Sequence, residues 1–256
     1  MTNVRLIARL DLKMDFLIKG VQFEGWRKIG DPGEFALRYY EAGVDELLYM
    51  DVVASLYERN NLDDIVRKAA ERIFVPITVG GGIRRLADVK TLLAAGADKV
   101  AINTAATRDP SLLSQISETY GSQATVLSIE AKRTGPKSWE AMTDNGRNHT
   151  GLDPIAWAAK AQELGAGEIL LTSIDQDGTS RGLDIALIKA VTAAVDIPVI
   201  AGGGVGRNSD VIDGLRQGAA HAVAIGKALH YGNVLLPDLR ARLGDAGIPV
   251  RSLEAA

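Results

Sequence analysis

Three consecutive glycines follow a short β-branched run in PITVGGGIRR, residues 76–85, and the arrangement returns as PVIAGGGVGR at 198–207. Gly80, Gly81 and Gly82 recur as Gly202, Gly203 and Gly204, 122 residues further on. One such stretch is a turn. Two in the same local setting, half a chain apart, are a duplicated device, and other segments repeat in step with them. AGVDELLYMD matches LGAGEILLTS, KVAIN matches AVAIG, and RLIARLDLK matches TVLSIEAKR, which pairs Asp11 with Glu130. Four βα units written twice constrain the fold strongly, and they direct the search for function to pairs of sites.

Eight β-rich runs are expected as strands, at 5–11, 46–52, 76–79, 99–103, 125–130, 168–174, 198–201 and 222–225. Amphipathic stretches lie between them, many ending at Gly, the usual helix C-terminal cap. Strands alternating with helices in this way imply a parallel sheet, and in 256 residues eight such units close most readily into a (β/α)8 TIM barrel. No Pro/Gly/Ser linker or charge run divides the chain. One α/β barrel over 1–256 is therefore expected, with half-barrels at about 1–121 and 122–256. The longest loops lie before residue 31 and around 131–151, and long loops at a barrel mouth are usually functional.

A barrel carries its site at the C-terminal ends of its strands. Glycine lets backbone N–H groups approach an anion, and the helix N-terminus that follows favours negative charge. The glycine runs are either ligand-free tight turns or phosphate cradles, and their duplication favours cradles. The first would use Gly81, Gly82, Asn103 and Thr104; the second, Gly203, Gly204, Gly226 and Lys227. Two cradles in opposite quarters of one mouth imply an elongated bisphosphorylated substrate, or a phosphate and another anion. Asp11 and Glu130 end the first and fifth strands, where paired carboxylates can divide acid and base roles. Lys13 and Lys132, two residues on, leave a structural ion pair open for each. Asp51 and Asp175, read as ending strands two and six, either position substrate or cap loops. Lys19, in the loop after the first strand, joins the positioning candidates.

Arg5, Glu46, Lys99 and Glu168 each begin a strand and should gather at the opposite, bottom end of the barrel. Two cations and two anions there form either a stabilising plug or a closed ring at a pore entrance. Asp98, beside Lys99, would reach the rim.

Composition narrows the classes further. A net charge of −3 gives no field for nucleic acid. No cysteine is present, which excludes disulfides, thiolate metal sites and a Cys nucleophile. His149, His221 and His230 lack metal-ligand spacing, and no Walker A, nucleophile-elbow or GxGxxG fingerprint occurs. No metal or redox cofactor is implied. No apolar run nears the roughly 20 residues needed to span a bilayer. The opening MTNVRLIARLD lacks a leader's long apolar core, so a cytoplasmic protein without membrane partners is expected.

The stretches FVPITVGGGIR, GADKVAINTAA, GSQATVLSIEAKR, GAGEILLTSIDQDGT and PVIAGGGVG together resemble the cyclase subunits of imidazole glycerol phosphate synthase, over nearly the whole chain. The resemblance implies a lyase/cyclase of histidine biosynthesis, in a heterodimer with a glutaminase subunit on the bottom face. Ammonia would pass a charged gate, matched by Arg5, Glu46, Lys99 and Glu168, and rise through the lumen. It would then react with a bisphosphorylated aminoimidazole carboxamide nucleotide, with Asp11 as general acid/base and Glu130 as its partner. Some positions depart from the family pattern. Glu130 replaces an Asp, Arg9 stands where a small residue is usual, LKMDFLIKG lacks an Asp-Gly-Arg, and Gln176 replaces an Arg. Strand alternation puts Arg9 inside the barrel with Asp11, and Glu130 is its expected anionic partner. The departures cluster at the mouth, which keeps open two further readings. One is a paralogue that uses ammonia to form an amidine on a surface-polysaccharide sugar. The other is a non-catalytic scaffold that activates the glutaminase.

Overall fold

The computed structural model describes residues 3–54 and 62–253. Eight parallel strands close a barrel: β1 (Arg5–Lys13), β4 (Glu46–Asp51), β5 (Ile77–Gly80), β6 (Lys99–Ile102), β7 (Thr125–Gly135), β10 (Glu168–Ser173), β11 (Val199–Gly202) and β12 (Ala222–Ile225). They pair in that order, and β12 returns to β1 through Arg5 opposite Ala222. All eight coincide with the runs expected from sequence.

Alternation along each strand sends one set of side chains outward and the other into the lumen. Leu6, Leu47, Ile169 and Val199 face outward, into a shell completed by the helices. Ile7, Leu48, Val126, Leu170 and Ile200 form a separate apolar cluster inside. The helices are built alike in the two halves. Asp31 caps Pro32–Glu41 by accepting from the Glu34 N–H, and Asp153 caps Pro154–Glu163 by accepting from Ile155 and Ala156. In both cases proline occupies the first turn, where its missing N–H costs nothing.

The two long loops differ from the sequence reading, because both are β-ribbons. β2 (Phe16–Val21) and β3 (Glu24–Gly30) extend β1 as an antiparallel arm. β8 (Ser138–Thr143) and the two-residue β9 (Asn148–His149) extend β7 in the same manner. EGWRKIG has no buried residue, so it shows no apolar periodicity to betray a strand. Two short helices, Thr104–Arg108 and Lys227–His230, also escape the sequence reading, since one turn is too short to show a helical period. They begin directly after β6 and β12, at matching places in the two halves. Among the described residues, no helix is long and apolar enough to cross a membrane.

Candidate active site

The glycine runs form the walls of two cavities at the C-terminal ends of the strands. Gly81 and Gly82 take φ of +100° and +71°, and Gly203 and Gly204 take +86° and +113°. A Cβ on Gly81 would strike the Asp51 carbonyl oxygen, and one on Gly204 would strike that of Gly182. Both backbone angles and space therefore demand glycine. The first cavity, about 230 Å³, is lined by Gly81, Gly82, Asn103, Thr104, Glu130 and Arg9 among others. The second is only about 20 Å³ and is lined by Gly203, Gly204, Gly226, Lys227, Lys19 and Arg9 among others. The eight residues read as two cradles thus separate into two groups as expected. Several are occupied internally. Asn103 Nδ2 donates to the Met142 carbonyl at 3.1 Å, Thr104 Oγ1 accepts from the Asp144 N–H at 3.1 Å, and Lys227 Nζ donates to the Gly178 carbonyl at 2.6 Å.

Between the cavities lies a buried charge cluster. Arg9 Nε donates to Asp11 Oδ1 at 2.7 Å, and Lys19 Nζ donates to Asp11 Oδ2 at 2.8 Å. Lys19 also reaches both oxygens of Asp177, at 3.1 and 3.0 Å. This corrects the expected partnership of Arg9 with Glu130. Glu130 Oε2 instead accepts from the Gly146 N–H at 2.9 Å. Arg9 and Asp11 are two residues apart on one strand face, roughly 7 Å along the chain, whereas Glu130 lies across the barrel. The bent side chain satisfies the nearer carboxylate.

The two carboxyls are consequently tuned apart. Burial would raise Asp11, but the Arg9 and Lys19 charges, with their hydrogen bonds, outweigh it and hold the carboxyl well below its usual range. Burial dominates at Glu130, pushing it up to about 7 against the opposing Arg9 charge and the Gly146 hydrogen bond. Lys19 is also desolvated, yet Asp11 and Asp177 raise it and keep it charged. The cluster thus holds an Asp11 kept ionised by its two cations and a Glu130 whose burial favours the protonated carboxyl.

Asp51 ends β4 and lines the first cavity; burial raises its carboxyl, against hydrogen bonds from the Val53 and Ala54 backbone. Asp175 stands in a loop and not at the strand end expected for it. It lies two residues past the end of β10, where its Oδ2 accepts from the Arg133 N–H at 2.7 Å and its carbonyl accepts from Gln22. It ties two loops together, and Asp177 is the carboxylate that turns inward. The DQDG spacing gives a turn but does not say which carboxylate it aims at the lumen.

At the opposite end the four strand-starting charges meet in a ring. Arg5 pairs with Glu46 at 2.8 Å and also with Glu168, and Lys99 pairs with Glu46 at 2.9 Å and Glu168 at 2.8 Å. Thr78 Oγ1 donates to the remaining oxygen of Glu46 at 2.5 Å. Asp98 is exposed beside the ring, with one carboxylate oxygen accepting from the Ile77 N–H at 2.8 Å. Among the described residues, no group of three or more His, Cys, Asp or Glu side chains is arranged to hold a metal ion.

A closed eight-stranded barrel, with its buried acid pair and glycine-walled cavities at one mouth, places the molecule among the (β/α)8-barrel enzymes. Comparison with known proteins narrows this. Residues 5–235 match the family described as "Histidine biosynthesis protein", and the chain belongs to that family. It is 62% identical over 207 residues to the imidazole glycerol phosphate synthase subunit HisF of Legionella pneumophila, which covers 81% of this chain and 98% of the relative.

Proposed function

We propose that this chain is the cyclase subunit of imidazole glycerol phosphate synthase. In that reading it joins ammonia to a bisphosphorylated aminoimidazole carboxamide nucleotide, releasing imidazole glycerol phosphate and the aminoimidazole carboxamide ribonucleotide. The observation that carries the reading is the 62% identity to a named subunit of that enzyme. The two glycine loops, each at positive φ beside its own cavity on one mouth, support it as paired seats for the two ends of such a ligand.

The roles follow from the electrostatics. Glu130, pushed by burial up to about 7, is the group suited to pass a proton in both directions, since general catalysis is best near the operating pH. Asp11, held ionised by Arg9 and Lys19, is suited to stabilise positive charge that develops as the amine adds. This reverses the emphasis of the sequence reading, in which Asp11 led. Gly81, Gly82, Asn103 and Thr104 would hold one phosphate and Gly203, Gly204, Gly226 and Lys227 the other, with Asp51 and Lys19 positioning the remainder and Asp175 left to its loop contacts. The four-charge ring would admit ammonia from a glutaminase docked on the bottom face, with Asp98 at the rim.

Arg9 and Glu130 at the mouth keep a second acceptor in view, an amide on a surface-polysaccharide sugar. One assay separates the two: turnover of the histidine-pathway nucleotide with excess ammonium salt and no partner. Product formation establishes the acceptor. A protein that is folded, binds phosphate and yields no product refutes the histidine-pathway reading.

A further inference from the structure

Arg9 stands at the junction of everything the barrel contains. It lies on β1 between Ile7, in the apolar lumen, and Asp11, at the mouth. Its side chain is 4% exposed. While Nε holds Asp11, Nη1 donates at 2.9 Å to Thr172 Oγ1 on β10, three strands away around the barrel. The Phe23 ring of the first arm lies against the guanidinium, 6.0 Å from Cζ to centroid. Among the described residues, Nη2 has no hydrogen-bond partner. Arg9 is also the only described residue that lines both glycine-walled cavities.

A guanidinium carries five N–H donors in a rigid fork and stays protonated. With Nε and Nη1 fixed by Asp11 and Thr172, the fork cannot turn, so the direction of Nη2 is set. Nη2 makes no protein hydrogen bond and keeps some accessible surface, so it is free to serve an acceptor in the cavities that Arg9 lines. A ligand with one phosphate at Gly81–Gly82 and another at Gly203–Gly204 must run past Arg9, which lines both cavities. We propose that Arg9 positions the substrate and determines its specificity, its Nη2 donating to an acceptor oxygen midway along a ligand that spans both cavities. The proposal rests on reading the two loops as phosphate seats. Its consequence is selectivity for two-ended ligands with a carbonyl or hydroxyl at the centre over ligands that fill one seat.

The test compares wild type with Arg9→Met and Arg9→Lys, by calorimetric titration with the bisphosphorylated nucleotide and with inorganic phosphate, and by ammonium-dependent kinetics. Arg9→Met should leave the phosphate Kd within about twofold and raise the nucleotide Kd and KM roughly tenfold, with a smaller fall in kcat. Lysine can still pair with Asp11 but lacks the fork, so Arg9→Lys should keep the wild-type melting temperature and still bind the nucleotide weakly. If Arg9→Met is too unstable to assay, Arg9→Lys carries the comparison. Equal weakening of both ligands, or unchanged nucleotide affinity in a folded variant, overturns the proposal. So does a defect confined to glutamine-dependent turnover, which would make Arg9 a lumen element instead. Should wild type bind phosphate but not the nucleotide, the histidine-pathway reading fails separately. Fructose 1,6-bisphosphate then replaces the nucleotide as the two-ended probe, and the same contrast is expected.

Discussion

Burial pushes Asp11 and Glu130 in the same direction, yet only Glu130 rises, because two cations contact Asp11 and none contacts Glu130. Stability therefore depends on pH with opposite signs at the two residues. Glu130 keeps its proton in the folded chain up to about 7, above its ordinary 4.5, so it lowers stability progressively as pH rises between those values. Asp11 is depressed below its ordinary 3.8, so its contribution is complete above that pH and is lost as pH falls beneath it. Substitution should separate the residues in the same way. Glu130→Gln removes a carboxyl that burial already favours neutral and can keep the Gly146 hydrogen bond, so it should melt near wild type and lose roughly 100-fold or more in synthase rate. The limb near pH 7 in the ammonium-dependent pH–rate profile should vanish with it; a retained limb would assign that proton elsewhere. Asp11→Asn leaves Arg9 and Lys19 with Asp177 as the remaining carboxylate of the cluster, and should cost about 3–5 kcal/mol in a denaturant titration as well as turnover. Phosphate affinity should stay within a few-fold, since the glycine loops keep their own backbone.

At the scale of elements, the eight barrel strands were legible because both faces of each are buried and their apolar runs are interrupted by glycine or charge. The arms were not legible, since a ribbon such as Glu24–Gly30 lies half in solvent and mixes Trp, Arg and Lys without period. The site divides along the same line. Asp11, Glu130 and the glycine loops were readable from strand ends and from the repeat. Asp177 was hidden because a turn decides its direction, and the Arg9–Asp11 pair because alternation gives the face a side chain occupies but not its partner on that face. The glycine loops give a direct check. Gly81→Ala and Gly204→Ala each place a methyl against a backbone carbonyl at positive φ, which should cost roughly 1–3 kcal/mol. Each should weaken inorganic phosphate binding at its own cavity alone, resolved by titration of the two variants side by side. Loss at both cavities from either change would mean that the loops do not act separately.

For the whole molecule, each cation of the bottom ring bridges both anions, so moving either one breaks two ion pairs together. Lys99→Ala opens the ring from one side and leaves the mouth untouched. The expected result is a change in glutamine-dependent turnover, or ammonia lost to solvent, at unchanged ammonium-dependent turnover. Equal loss in both assays would reduce the ring to a brace. The stretch between ring and mouth has a separate consequence. Ile7, Leu48, Val126, Leu170 and Ile200 wall it, and such a wall offers bound water none of the two to four polar partners it requires. Protons relay along continuous files of hydrogen-bonded water, and these apolar side chains supply no partner to continue such a file. Glu130 lines the cavity on the mouth side of that apolar layer, so its titration should follow the solution at the mouth and not the solution that bathes the far end of the barrel.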